Sequence, residues 1–396
     1  MKFDFETRIN RRGTSCEKWD SEKERTGREG LLPFWVADMD FRVAPVIEDA
    51  LKKRMEHGIF GYTFRPESLD EALISWFARR HQWKIEASQI LETPGIVPFI
   101  HMFIREFSSP GDSVIIQEPV YYPFHKAIEN NGRRVAVNQL LRSGEGRWTM
   151  NLEGLEQLID ETGAKILVFC SPHNPVGRVW REEELLGLAD LCRAKAVTVI
   201  SDEIHADLVH PGYRHIPWLS LPAERLPRSL ALVSATKTFN IPGLTTAFAV
   251  VPDPDLRNHC QSMLTGLGLG EGSSSPLSYA AAEAAWRKGE PWLEALLKQL
   301  GRNDALLRRR LGEALPEIQV ADLEGTYLEW LYMGNTGDNA GDIWKRLLDT
   351  GLWLSRGGEF GKGGEDFMRM NIACPPSQLE EGLEMMEKVF RGLRIL

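Results

Sequence analysis

The sequence predicts an α/β protein: a large domain built on a mostly parallel sheet, joined to a smaller α+β domain. Two observations carry this. From about Leu91 to Val251, short apolar runs alternate with amphipathic stretches, the signature of strands covered on both faces by helices. After about Ser275 long helical patterns take over, followed by a few short strands and a last helix. A chain of 396 residues also has room for two or three domains and a core that needs neither disulfides nor metals.

The strand candidates in the first region are Ser113–Gln117, Arg134–Asn138, Lys165–Cys170, Ala196–Ser201, Leu230–Ser234 and Ala247–Val251. Helical patterns lie between them, at Asn151–Thr162 and at Arg181–Ala194, the latter with Glu182, Glu183 and Glu184 where a helix dipole favours acids. Beyond Ser275, helix covers Pro276 to Leu315, then strands Tyr327–Tyr332, Leu352–Ser355 and Phe367–Ile372 precede a helix over Pro376–Leu393. The first 45 residues hold few regular patterns and are expected to wrap across domains or subunits. The division expected is 46–280 for the large domain, with 1–45 and 281–396 forming the N-terminal segment and the small domain.

Composition narrows the function. With 47 Lys+Arg against 56 Asp+Glu the formal charge is −9, and no basic surplus points to nucleic acid. The basic cluster Arg308-Arg309-Arg310 reads as the solvated face of a helix. Five cysteines, odd in number and without zinc-like spacing, fit a reducing, cytoplasmic compartment. The start, Met1-Lys2-Phe3-Asp4-Phe5-Glu6, has acids where a signal peptide needs an apolar run, and no apolar run reaches membrane length. His205, His210 and His215 recur every five residues, a period of neither helix nor strand, so no metal site is expected.

In a doubly wound sheet ligands gather beyond the carboxyl ends of the strands. There the sequence places Thr93-Pro94-Gly95-Ile96-Val97 opening a helix, Ser171-Pro172-His173-Asn174-Pro175-Val176-Gly177, Ser201-Asp202-Glu203-Ile204-His205, and Ser234-Ala235-Thr236-Lys237. Singly, Asn174 between prolines reads as a turn residue, Asp202 as a cap and Lys237 as a surface lysine. Their joint occurrence on successive strand ends is what those readings leave unexplained. Pyridoxal 5′-phosphate (PLP) needs such a set: a lysine for its Schiff base, a carboxylate at its pyridine nitrogen, a partner for its ring oxygen and a cradle for its phosphate. A carboxylate about 4 Å from a pyridinium contributes about 4 kcal/mol at intermediate dielectric, or about three pKa units.

With these motifs the chain resembles fold type I PLP enzymes of the class I/II aminotransferase superfamily over essentially its whole length. It is most similar to the cystathionine β-lyase (C–S β-lyase) branch. The matching pieces are Lys18-Trp19-Asp20, Trp35-Val36-Ala37-Asp38-Met39-Asp40-Phe41, His57-Gly58-Ile59-Phe60-Gly61-Tyr62, Ser201–Asp207 and Met370-Asn371-Ile372-Ala373-Cys374-Pro375.

The resemblance implies a seven-stranded sheet, the cofactor PLP, an amino-acid substrate and a homodimer. It also implies Lys237 as Schiff-base lysine and proton-abstracting base, Asp202 at the pyridine nitrogen and Asn174 at the ring oxygen. Tyr121 would stack on the ring, with Tyr122 its competitor, and Ser234, Thr236 and the N–H groups of Ile96 and Val97 would hold the phosphate. Tyr62 would reach the phosphate of the other subunit. Arg369 would clamp the substrate carboxylate through a bidentate fork, with Trp35 and Asp38 near the entrance, although Trp35 reads equally as packing. His205 stands where many relatives have tyrosine, and Thr245 where many have a phosphate-binding arginine. The implied activity is elimination of a thiol from L-cystathionine or a related cysteine S-conjugate, leaving pyruvate and ammonia. An aminotransferase is the alternative, and a PLP-bound regulatory protein a third reading. The run Gly357–Gly364 lacks the order of a phosphate loop and is expected to be a flexible loop over the site.

Overall fold

A computed structural model describes residues 3–393 apart from 145, 270, 271 and 273. Seven strands, β1 (Ile90–Thr93), β2 (Ser113–Ile116), β3 (Arg134–Val137), β4 (Ile166–Cys170), β5 (Thr198–Asp202), β6 (Ser229–Val233) and β7 (Ala247–Val250), form one sheet in the order β1-β7-β6-β5-β4-β2-β3. Only β7 runs against its neighbours. The mostly parallel seven-stranded sheet is therefore present.

The alternation of side chains along a strand divides the core. In β4, Ile166, Val168 and Cys170 enter one apolar cluster with Ile100 and Phe103. Leu167 and Phe169, on the other face, pack with Leu185 and Trp180. Both faces are covered, so the strand reads as an unbroken apolar run.

Helix boundaries shift by one residue where a side chain caps the end. Asn151 lies outside the helix Leu152–Thr162 and accepts from the Gly154 N–H, and Arg181 precedes the helix Glu182–Ala194, its own N–H held by Glu184 at 2.9 Å. Strand β1 was absent from the strand candidates because Glu92 interrupts its apolar pattern. Glu92 is buried nonetheless, accepting from the Tyr279 hydroxyl at 2.7 Å and the Ser274 N–H at 2.9 Å.

A second, antiparallel sheet has the order β8-β9-β11-β10, from β8 (Gln319–Val320), β9 (Leu328–Tyr332), β10 (Ser355–Arg356) and β11 (Phe367–Asn371). The strand expected over Leu352–Ser355 is divided. Leu352 and Trp353 pair in parallel with Leu32 and Pro33, and the chain then turns so that Ser355 and Arg356 join β11. The helical stretch resolves into Pro276–Lys288 and Glu290–Ala314, and the last helix spans Pro376–Leu393. The arginine cluster is not simply a solvated face. Arg308 bonds Asp304 and the Ala321 carbonyl, and Arg310 bonds Glu387, so only Arg309 is left fully outward.

The N-terminal segment is held by buried charge. Asp40 accepts from Lys18 Nζ (2.7 Å), Arg11 Nη1 (2.7 Å), Trp19 Nε1 (3.0 Å) and Gln378 Nε2 (2.8 Å). Asn371, at the end of β11, donates through Nδ2 to the carbonyls of Val36 and Asp38, both at 2.6 Å. Asn240, three residues past Lys237, accepts from the Met39 N–H and donates to the Met39 and Phe41 carbonyls. Residues 34–41 are thereby strapped between the two sheets.

Behind the large sheet, buried Asp207 accepts from Trp76 Nε1 (3.0 Å) and Thr238 Oγ1 (2.9 Å), contacts His81 Nε2 at 2.7 Å, and lies 3.4 Å from Arg80 Nε. Burial opposes its charge, but His81, Arg80 and Thr238 hold its carboxyl below the usual carboxylate range. Asp207→Ala strands these donors and is expected to lower stability by about 3–5 kcal/mol, read as a denaturant midpoint. Because the folded-state pKa is depressed, this contribution is complete above the unfolded carboxylate pKa and is lost as pH falls through the folded value. Asp207→Asn should accordingly flatten the acid limb of the stability–pH curve.

Candidate active site

Strand β1 is antiparallel to β7, which is antiparallel to β6, so β1 runs with β4, β5 and β6. The carboxyl ends of these four strands therefore lie on one edge, and two adjoining cavities open there. The inner one, about 210 Å³, is bordered by Ile96, Val97, Asn174, Asp202, His205 and Thr236. The outer one, about 890 Å³, is bordered by Trp35, Asp38, Tyr122 and Arg369 among others. Ala37, Tyr121, Lys237 and Pro242 line both.

Lys237 Nζ donates to the Ala37 carbonyl at 2.6 Å. Removal from water, with help from the charge of Arg369 and against Asp38 and Asp202, pushes its pKa down to about 8. Asp202 is buried, accepts the Ile204 N–H at 3.1 Å, and is pushed up to about 7 by desolvation, with Glu203 adding to the rise. His205 is pushed down to about 3 by burial and by the charges of Lys237 and Arg369, and its Nδ1 has no partner among the described residues. It is a neutral imidazole set edge-on to the Tyr327 ring.

Arg369 enters from β11, buried in the small sheet. Its guanidinium donates to Asn174 Oδ1 (3.0 Å) and to the Trp35 carbonyl (2.6 Å), while its buried Nε has no partner among the described residues. All of its hydrogen-bond acceptors among the described residues are neutral, and burial lowers its pKa. A buried cation with an orphan donor at the head of a cavity is built to receive an anion. Its bond to Asn174 Oδ1 also turns the Asn174 amide so that Nδ2 faces the other way.

At the far end, the helix Ile96–Phe107 starts on Gly95, whose φ of +142° favours glycine. A Cβ there would stand 3.3 Å from Pro98 Cδ and 3.7 Å from Thr245 Cγ2. The Ile96 and Val97 N–H groups belong to the first turn, where no intrahelical acceptor exists, and with the helix dipole they favour an anion. Thr236 borders the same space. Ser234 is set behind it: its hydroxyl donates to the Thr246 carbonyl at 2.6 Å and accepts from the Thr236 N–H at 3.1 Å. Thr245, which stands where many aminotransferases have a phosphate-binding arginine, lies beside this turn.

The structure thus gathers Lys237, Asp202, Asn174, His205, Tyr121, Thr236, Ile96 and Val97 at the inner cavity, and Arg369, Trp35 and Asp38 at the outer one. Of the two tyrosines, Tyr121 borders both cavities and Tyr122 only the outer. Trp35 is both packing and lining: it stacks on Trp353 at 4.4 Å, and its Nε1 donates to the Lys18 carbonyl. Asp38 receives the fork of Arg11. Tyr62 is not brought to the site of its own chain and is fully exposed.

Sequence reasoning missed Ala37, whose carbonyl takes both Lys237 and the Tyr327 hydroxyl (2.9 Å), and Ser355, which bridges Arg369 and the Trp35 carbonyl. A backbone acceptor carries no side-chain signal, so Ala37 was readable only as part of a motif. The glycine run is also not the loose loop expected. Gly357–Phe360 forms a 3-10 turn, Lys362 N–H bonds Glu118, and a Cβ on Gly357 would meet the Gly364 and Phe367 carbonyls. Its glycines allow close packing of backbone on backbone.

The donor set suits one kind of ligand. It would carry an anion at the helix end, a protonated ring nitrogen at Asp202, an acceptor at Asn174 and a carbonyl carbon open to an amine at Lys237. Asp202, pushed up to about 7 by desolvation, is a buried carboxyl that a cationic ring nitrogen would suit. Among the described residues no group of three or more His, Cys, Asp and Glu could hold a metal ion, and no helix is long and apolar enough to cross a membrane.

Residues 32–386 match the family model of aminotransferase class I and II, and the chain belongs to this family. It is 38% identical to cystathionine β-lyase PatB of Bacillus subtilis over 97% of this chain and 99% of that protein. It is 37% identical to the protein MalY of Escherichia coli, covering 99% of this chain and 100% of MalY. Among solved structures, cystalysin of Treponema denticola, which contains a pyridoxal 5′-phosphate cofactor, superimposes with a TM-score of 0.95 at 33% identity, over 99% of this chain and 100% of cystalysin.

The lowered pKa of Lys237 is measurable directly. In protein stripped of any cofactor, acylation of Lys237, followed by peptide mass spectrometry, should reach half its maximal rate near pH 8. A free lysine would reach it about two units higher.

Proposed function

We propose that this chain is a PLP-dependent carbon–sulfur β-lyase acting on L-cystathionine or related cysteine S-conjugates. The observation that carries the reading is the inner cavity, where a lysine with a lowered pKa, a buried unpaired carboxyl and a helix N-terminus converge in a chain 38% identical to a cystathionine β-lyase. When bound, PLP supplies an electron sink for the charge left at the substrate Cα.

The chain's own residues do the rest. Ile96, Val97 and Thr236 would hold the phosphate, and Ser234 orients Thr236. Asp202 would face the pyridine nitrogen and keep its proton in place, Asn174 Nδ2 would donate to the ring oxygen, and Tyr121 would stack on the ring. Arg369 turns its unpartnered Nε to the substrate carboxylate. Lys237, neutral over an accessible pH range, removes the Cα proton. The Cβ–S bond breaks, the thiol leaves, and water hydrolyses the remaining enamine to pyruvate and ammonia.

The enzyme acts as a homodimer in a reducing, cytoplasmic compartment. Supporting the dimer, Met55, Ile59, Phe60, Tyr62 and Phe64 are all exposed along one segment, and large apolar side chains exposed together suit an association surface. From there Tyr62 reaches the phosphate of the other subunit. Supporting the compartment, all five cysteines are free. Residues 46–280 make up the domain that holds the cofactor, while 1–45 and 281–396 cover it.

The test is an assay of PLP-loaded protein with L-cystathionine, with and without an added 2-oxo acid. Pyruvate and free thiol without the 2-oxo acid are expected. Turnover only with a 2-oxo acid and no thiol would make the chain an aminotransferase. Lys237→Ala should lower kcat about a thousandfold while the protein still folds. Gly95→Val, which crowds Pro98 and strains the turn, should weaken PLP binding by about tenfold or more, read by titrating the apoprotein.

A further inference from the structure

Two matching groups of side chains border the outer cavity and take no part in the chemistry above. In one, the Arg25 guanidinium lies 4.7 Å over the Trp35 ring and pairs with Glu17 at 2.5 Å. In the other, Arg356 lies 4.8 Å over Trp344 and pairs with Glu359 at 2.9 Å. All six residues line the same cavity. They come from the N-terminal segment and from two separate stretches of the small domain, so no single motif announces them.

Each group presents a cation, an anion and an aromatic plane. The ion pairs are open to water, with side-chain exposures of 45% and 64% for Arg25 and Glu17 and of 52% and 43% for Arg356 and Glu359. Pairs this exposed hold weakly and exchange partners readily. An incoming group bearing both an ammonium and a carboxylate can replace either internal pair with two external ones, charge for charge. The Trp35–Trp353 stack offers an apolar wall beside it for a short methylene chain. The two acids lie close enough to the chemistry for their fields to reach it, Glu17 at Lys237 and Glu359 at Arg369.

We propose that the outer cavity is a subsite for an α-amino acid carried on the substrate's sulfur, with Arg25–Glu17 and Arg356–Glu359 reading its carboxylate and ammonium. This selects cysteine thioethers that are amino acids at both ends over those with a plain alkyl or aryl substituent. The proposal rests on the carbon–sulfur lyase reading.

The test compares L-cystathionine with S-ethyl-L-cysteine, which lacks the distal zwitterion, in the wild-type protein and in Arg25→Gln, Arg356→Gln and the double variant. The ratio of kcat/KM for the two compounds is expected to fall about tenfold in the double variant, mostly through KM for L-cystathionine. Arg25→Lys, which keeps the charge, should stay nearer the wild-type ratio. A second measurement uses PLP-loaded Lys237→Ala, in which binding is read by calorimetry without turnover: adding the two glutamine substitutions should weaken L-cystathionine more than S-ethyl-L-cysteine. A ratio unchanged within about twofold, or equal loss for both compounds, overturns the proposal. If the wild-type protein releases thiol from neither compound, the lyase reading fails instead, and the binding comparison still decides the subsite.

Discussion

The active site depends on where one short strap of chain is held. Residues 34–41 have no regular structure of their own, yet their carbonyls receive Lys237, Tyr327, Arg369, Asn371 and Asn240. The strap is fixed from below by Asp40, a buried carboxylate with four donors on it. A buried carboxylate is tolerated only when its hydrogen-bonding capacity is filled, and this requirement ties Arg11, Lys18, Trp19 and Gln378 to one point. The two sheets contribute opposite halves of the site, Lys237 from the large and Arg369 from the small. Their meeting point is the backbone of Ala37 and Trp35.

The electrostatics of the site describe what it is built to hold. Lys237 and His205 are both pushed down and Asp202 is pushed up, each mainly because burial disfavours charge. In a folding unit meant only to be stable, such groups would be paired or absent. Here they are stacked along one small cavity, and Arg369 adds a buried Nε with no acceptor. A ligand that is cationic at one point and anionic at others turns these costs into interactions. This is the same logic by which functional sites collect perturbed pKa values in general.

Much of this was legible in the residues. The strands of the large sheet could be read because both faces are buried, which makes them short apolar runs between amphipathic helices. The site could be read because four strand ends carried unlike polar residues in a fixed order. Reading failed where a polar side chain is buried among apolar ones, as at Glu92 in β1, and where glycines serve backbone packing, as at Gly357 and Gly364. It also ran short at Ser234, because the S-x-T-K motif does not reveal that the first hydroxyl turns to the Thr246 carbonyl and only the second faces the cavity.

By itself, then, the sequence determined the α/β class, the order of the elements, the chemical identity of Lys237, Asp202, Asn174 and Arg369, and the family they resemble. These follow from local patterns: alternation, capping, turn residues and motifs at strand ends. Tertiary structure alone decided that the Ala37 carbonyl is the seat of Lys237, that Tyr121 rather than Tyr122 reaches both cavities, and that Glu17, Arg25, Arg356 and Glu359 share one rim. Each of those depends on bringing together residues hundreds of positions apart, such as Trp35 and Arg369. Contacts of that kind are set by packing and by the satisfaction of buried polar groups, and neither leaves a periodic mark on the chain.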